Sequence, residues 1–171
     1  MPNNVASSAV VRLNEDGTVY LQVSAQDLGQ GSDTALTQIC AEALDIPPEK
    51  ITINTGDTAN NPYEWQTVAS RITYCCGNAV LNACEDVKEQ LFELASLKLN
   101  VYKKYLKLEN GYMVSTMYPD KKVAIKDLAL GITMPDGSGV HGPIIGRGSF
   151  IPPNVMDFDM ETGMGDKPVA F

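Results

Sequence analysis

"VSAQDLGQGSDTALTQICAEAL", Val23 to Leu44, decides the fold. It opens like a strand, breaks at Gly29 and Gly31 on either side of Gln30, and turns into a helix whose first residues are Ser32 and Asp33. From Ser32 to about Asp45, Leu36, Ile39, Cys40, Ala43 and Leu44 recur at three- and four-residue spacing, which makes one apolar stripe. Pro47-Pro48 ends any such helix. Ser32 or Asp33 is the expected cap, and the glycines supply positive φ and room for another group. Turn chemistry thus explains the glycines and the aspartate, with Gln30 as a surface residue. The alternative has Gln30 meet a ligand, because a neutral amide on a rigid turn suits a partner carrying both donors and acceptors, such as a heterocycle or a metal oxo group.

Upstream, "SAVVRLNEDGTVYLQVSA" holds two alternating runs around Asn14-Glu15-Asp16-Gly17, so a hairpin with one buried face is expected, its tight turn made by Asp-Gly. Downstream, "KITINT" reads as a short strand, followed by the polar loop "GDTANNPYEWQ". A second helix is expected to begin between Thr67 and Ser70 and to run to about Leu97, with Ile72, Cys76, Ala79, Val80, Ala83, Val87, Leu91 and Leu94 on its apolar stripe. Gly77 lies inside that helix at a cost of about 1 kcal/mol, and a neighbouring backbone approaching it closely would explain it. "YLKLENGYMVS" repeats the hairpin pattern with Asn110-Gly111 at the turn; "KKVAIKDLALGI" suits a strand and a short helix, and "GPIIGRGSFI" a last strand. The fold class is therefore α+β: antiparallel β-hairpins forming a sheet packed against two long helices, over residues 1–150. Residues 151–171, rich in Gly, Pro and Asp, read as a connector.

Composition narrows the function. The 171 residues carry 13 Lys plus Arg against 21 Asp plus Glu, a net charge of −8, and the cations are not strongly clustered, so general nucleic-acid binding is not expected. No apolar run approaches the ~20 residues of a membrane span and the start lacks a secretion signal, so the chain is expected to be soluble and cytoplasmic. Cys40, Cys75, Cys76 and Cys84 lack C-x-x-C spacing and are expected to be buried reduced thiols, and His141 has no second imidazole to share a metal with. No metal ligand set emerges. A phosphate loop is disfavoured too, because "GQGSDT" lacks a third glycine and a P-loop lysine, and Asp33 would repel phosphate. Asp157 and Asp159 read as a solvated acidic face.

A second constellation lies in "WQTVASRITYCCGNAV". Ala69 and Ser70 are small residues at a helix start, where unpaired N–H groups are available and little side chain blocks a ligand. The plainer reading is capping by Thr67 or Ser70, with Arg71 facing solvent.

Taken in order, "QDLGQGSDTALTQICAEALDIPPEKITINTGDT" and "PYEWQTVASRITYCCGNAVLNACEDV" resemble the molybdopterin-binding large subunit of the molybdenum hydroxylases, the xanthine dehydrogenase and aldehyde oxidase family. The resemblance continues through "GRGSF" and "ETG" near the end. It implies that Gly29, Gln30 and Gly31 hold a molybdenum-bearing pyranopterin, with Gln30 hydrogen-bonding it. It further implies that Ala69, Ser70 and Arg71 line it largely through backbone groups. The cofactor would be molybdopterin, as such or as the cytosine dinucleotide, with iron–sulfur clusters and FAD on other domains or subunits. The implied partners are the remainder of the molybdopterin subunit, iron–sulfur and flavin subunits, and a small-molecule substrate. The implied reaction is hydroxylation of an N-heterocycle or aldehyde with water as the oxygen source, or reductive dehydroxylation of an aromatic thioester. The family's catalytic glutamate, in a G-E motif, has no counterpart here. This chain is thus expected to supply no catalytic residue, to be one piece of a longer subunit and to be inactive alone. A cofactor-free structural or subunit-interaction domain is the competing reading.

Overall fold

The computed structural model describes residues 5–153 and 159–164. Two alternating runs, β1 (Ser7–Leu13) and β2 (Val19–Val23), pair antiparallel, with Ala9, Val11 and Leu13 and then Val19, Leu21 and Val23 facing the core. Their connection is wider than a two-residue turn. Asn14 N donates to Thr18 O (2.8 Å) and Gly17 N to Asn14 O (2.9 Å), and only Gly17 has positive φ. That is a type I turn followed by a left-handed glycine, the three-residue hairpin loop. Asn110-Gly111, by contrast, makes the expected two-residue turn between β4 (Leu106–Glu109) and β5 (Tyr112–Ser115), with φ of 51° and 74°.

Helix α1 (Ser32–Leu44) carries the chain from β2 to β3 (Ile51–Asn54), which lies parallel to β2. A parallel neighbour cannot be reached by a hairpin, and α1 is the crossover. The main sheet, in the order β3-β2-β1-β9, is therefore mixed, and β9 (Ile145–Phe150) closes it antiparallel to β1. Strands β4, β5 and β6 (Lys122–Ala124) form a separate sheet, and β7 (Ile132–Thr133) pairs with β8 (Gly139–Val140). Long-range pairing thus splits into three sheets what the hairpin pattern suggested as one, within the same α+β class.

Helix α2 (Ile72–Leu99) packs across the main sheet and against α1, and all eight residues of its expected stripe are buried. It starts after Arg71, two to five residues later than the pattern suggested, because Ala69 and Ser70 both adopt left-handed backbone, φ 52°, that no helix can contain. Gly77 faces the end of the Ile39 side chain, 3.0 Å from where a Cβ would sit, and no backbone. The close backbone contact falls instead at Gly146 and Gly148 of β9, where a methyl would overlap Ala83 and Ala79 of α2. The four cysteines are free and buried; burial raises the Cys75 and Cys76 thiols, and Cys84 Sγ lies 3.6 Å from Cys40 Sγ between the helices. Among the described residues no helix is long and apolar enough to cross a membrane, and no cluster of His, Cys, Asp and Glu could hold a metal ion. Of residues 151–171, 159–164 form a turn closed by Gly163 N donating to Asp159 O (2.7 Å); Asp157 lies outside the described residues.

Candidate functional site: a groove between two loops

The loop entering α1 and the loop entering α2 face one groove of about 1020 Å³. Gly29, Gln30 and Gly31 line one side, Ala69, Ser70 and Arg71 the other, and Ala35, Tyr74 and Asn78 also border it. None of its described lining residues is Asp or Glu. The loops also touch: Gln26 N donates to Thr67 Oγ1 (2.9 Å). Thr67 therefore ties the loops together and does not cap α2.

The first loop is held from inside. Asp27 accepts hydrogen bonds from Gly29 N (2.8 Å), Gly31 N (3.2 Å) and Asp33 N (3.2 Å), so its carboxylate takes the place expected of a cap. Neither Ser32 nor Asp33 caps; Gly31, left-handed at φ 78°, is the residue before the first turn. The Gln30 amide is turned inward as well. Its Oε1 accepts from Leu28 N (2.6 Å), and its Nε2 donates to Gln26 O (2.9 Å) and Ser32 Oγ (3.0 Å). Both N–H donors are used and one lone pair of Oε1 is left over, so Gln30 is first of all a brace that fixes the loop's shape. At Gly29 and Gly31 a Cβ would meet nothing within 4 Å, so the backbone there stands open.

The amides around Asp27, that of Gly29 first, hold its carboxyl below the usual carboxylate range, while burial first and then the charge of Asp27 push Asp33 above it. The Asp27 brace contributes fully above the ordinary carboxylate pKa and is lost as pH falls through its own lower value; Asp33, raised, contributes less stability once pH rises past the ordinary value. Carboxyl NMR titration should place Asp27 below and Asp33 above an unperturbed aspartate, and the reverse order would refute the capping arrangement.

The second loop is held from behind. Arg71 is fully buried. Its Nη1 pairs with Glu64 Oε1 and donates to Gln66 O (2.9 Å), and its Nη2 donates to Val5 O (2.7 Å) and Ser7 Oγ (3.0 Å). The solvent-facing arginine of the plainer reading is thus overturned, because Glu64 and the start of β1 supply acceptors to both of its terminal nitrogens. The guanidinium also lies over the Trp65 ring, 5.5 Å from its centre. In front of it stand the two left-handed residues, each costing about 1–2 kcal/mol for a side chain with a Cβ. No side chain caps α2 and no acidic residue occupies its first turn, which borders the groove through Ile72, Thr73 and Tyr74.

All six residues singled out from sequence come to this groove, in different capacities: Gly29 and Gly31 as open backbone, Gln30 as a brace, Ala69 and Ser70 as strained backbone, Arg71 as a buried support. Sequence reasoning passed over Asp27 and Glu64, and offered Thr67 as a cap where it instead accepts from Gln26 N. Asp27, two residues before a glycine, had a visible signal in the Asx-turn habit of aspartate. Glu64 had none, since its partner is seven residues away and its burial depends on the chain start.

A family model described as "Molybdopterin cofactor-binding domain" matches residues 1–171. The chain is 32% identical over 126 residues to the xanthine dehydrogenase molybdenum-binding subunit of Escherichia coli O157:H7, covering 72% of this chain and 17% of that one. It is 28% identical over 167 residues to the carbon monoxide dehydrogenase large chain of Afipia carboxidovorans, covering 92% and 21%. Among solved structures, reconstituted CO dehydrogenase from Oligotropha carboxidovorans superposes with a TM-score of 0.78 at 28% identity, covering 86% of this chain and 18% of that one. Quinoline 2-oxidoreductase from Pseudomonas putida 86 gives 0.74 at 25%, covering 86% and 19%. The chain thus spans about a fifth of the length of the relatives it matches.

Proposed function

The chain belongs to the molybdopterin cofactor-binding domain family, and from that premise we propose that its groove is one wall of a molybdenum-cofactor site in a larger oxidoreductase subunit. The carrying observation is that the two loops face a single concavity whose described lining holds no Asp or Glu. The residues present fit such a group: glycines without obstruction at one side, left-handed small residues at the other, and a helix with no acid in its first turn. A volume of about 1020 Å³ also lies at the upper end of small-molecule sites.

Gly29 and Gly31 would hold the heterocycle through their backbone, with Gln30 keeping that backbone in place and offering its remaining Oε1 lone pair. Ala69 and Ser70 would do the same opposite, supported by Arg71. Because Asp27 already fills the start of α1 with negative charge, an anionic part of the cofactor is favoured at the start of α2. The bound cofactor would supply the redox chemistry, hydroxylation of an N-heterocycle or aldehyde with water as oxygen source or its reductive counterpart. This chain's residues bind and orient it and carry no proton in the reaction. On this reading residues 1–150 form the cofactor-holding part and 151–171 a connector to the rest of a cytoplasmic subunit, which works with iron–sulfur and flavin partners and uses molybdopterin or its cytosine dinucleotide. The isolated chain is then inactive.

Gln30→Ala in the full-length subunit is the test. Losing the brace should lower molybdenum and pterin content by about tenfold, the scale of a lost supporting contact. Unchanged content would favour the cofactor-free interaction domain.

A further inference from the structure

We propose that Glu64 is a positioning residue for this groove: its buried ion pair with Arg71 holds Ala69 and Ser70 in their left-handed backbone, and so sets the wall that the ligand meets. The inference rests on the cofactor reading of the groove.

Four observations converge. Glu64 and Arg71 have side chains 2% and 0% exposed, so each is the other's compensation. The pair brackets the loop, with Glu64 at its start and Arg71 immediately after Ser70. Both ends are fastened to the same stretch of chain: Glu64 makes an isolated bridge with Ser7, Trp65 N donates to Ala6 O (3.1 Å), and Arg71 Nη2 donates to Val5 O and Ser7 Oγ. Between these anchors lie two adjacent non-glycine residues at φ 52°, a conformation that surrounding structure must impose. The left-handed Asp45, Asn100 and Asn110 are single residues that end helices or make a hairpin turn, whereas here an alanine and a serine stand in succession beside a groove, which fits a preorganised binding wall.

Removing one charge leaves the other buried and unmatched. A carboxamide at 64 keeps the shape but removes the charge that fixes the guanidinium, and the loop can then relax toward ordinary negative φ. Glycine at 69 adopts positive φ without strain, so it should tolerate the loss of the clamp.

The experiment uses the full-length subunit in its native complex. Glu64→Gln, the charge-neutral pair Glu64→Gln/Arg71→Met, and each of these with Ala69→Gly are compared with the parent for pterin and molybdenum per subunit and for thermal unfolding. The neutral pair guards against misfolding caused by one unmatched charge. We expect both clamp variants to keep a cooperative unfolding transition and to lose about tenfold in cofactor retention, and Ala69→Gly to restore at least half of that loss. Retention equal to the parent overturns the proposal. So does a loss that tracks thermal stability and is not restored by Ala69→Gly, since that is the behaviour of a purely structural pair. A parent subunit devoid of pterin and molybdenum overturns the cofactor reading and this inference with it, whereas a loaded parent with unaffected variants overturns the inference alone.

Discussion

Arg71→Met is expected to lower the stability of the chain by about 3–5 kcal/mol, the cost of breaking one side of a buried ion pair. The methionine fills most of the volume but leaves the Glu64 carboxylate, 2% exposed, without its partner. It also removes the donors to Val5 O, Ser7 Oγ and Gln66 O. Adding Glu64→Gln should recover a large part of the loss, because removing both charges avoids the uncompensated one. Chemical denaturation of the two variants against the parent measures this directly. A loss below about 1 kcal/mol would be that of a solvated surface arginine and would contradict the buried clamp.

Gly148→Ala is expected to be comparably damaging, by about 3 kcal/mol or more, for a reason of shape and not of charge. The added methyl would overlap the carbonyl oxygen of Ala79 and the amide of Ala83, both backbone atoms of α2 that no rotamer change can move aside. Strand and helix would have to separate, and with them the sheet that positions β1 under the second loop. Gly77→Ala provides the contrast. Its methyl meets only the flexible end of Ile39, 3.0 Å away, while alanine improves helix propensity by about 1 kcal/mol. That variant should stay within about 1 kcal/mol of the parent. Equal effects at positions 77 and 148 would show that β9 does not lie against α2 in this way.

What was legible in the residues and what was not divides along the range of the interaction. The α2 stripe could be read because its spacing is a local consequence of 3.6 residues per turn, and every member is buried. Asn110-Gly111 could be read because two successive positive dihedrals are a local demand. The parallel pairing of β3 with β2 could not, since its register with Val19 to Gln22 is set by how α1 packs and by nothing within "KITINT". Gly146 and Gly148 likewise meet α2 residues far away in sequence, so "GRGSF" marks a strand without revealing the contact. At the groove, the two loops were identifiable from their small residues, but the roles within them depend on partners outside the motifs. The burial of Arg71 follows from Val5 and Ser7, and the inward turn of Gln30 from Gln26 and Ser32.

The density of the full-length subunit, isolated with its cofactor, is the most direct measurement. The account predicts a pterin lying between the backbone of Gly29 to Gly31 and that of Ala69 to Ser70, with Arg71 still buried against Glu64 behind it. A cofactor bound elsewhere in the subunit, with the groove filled by protein side chains, would contradict it.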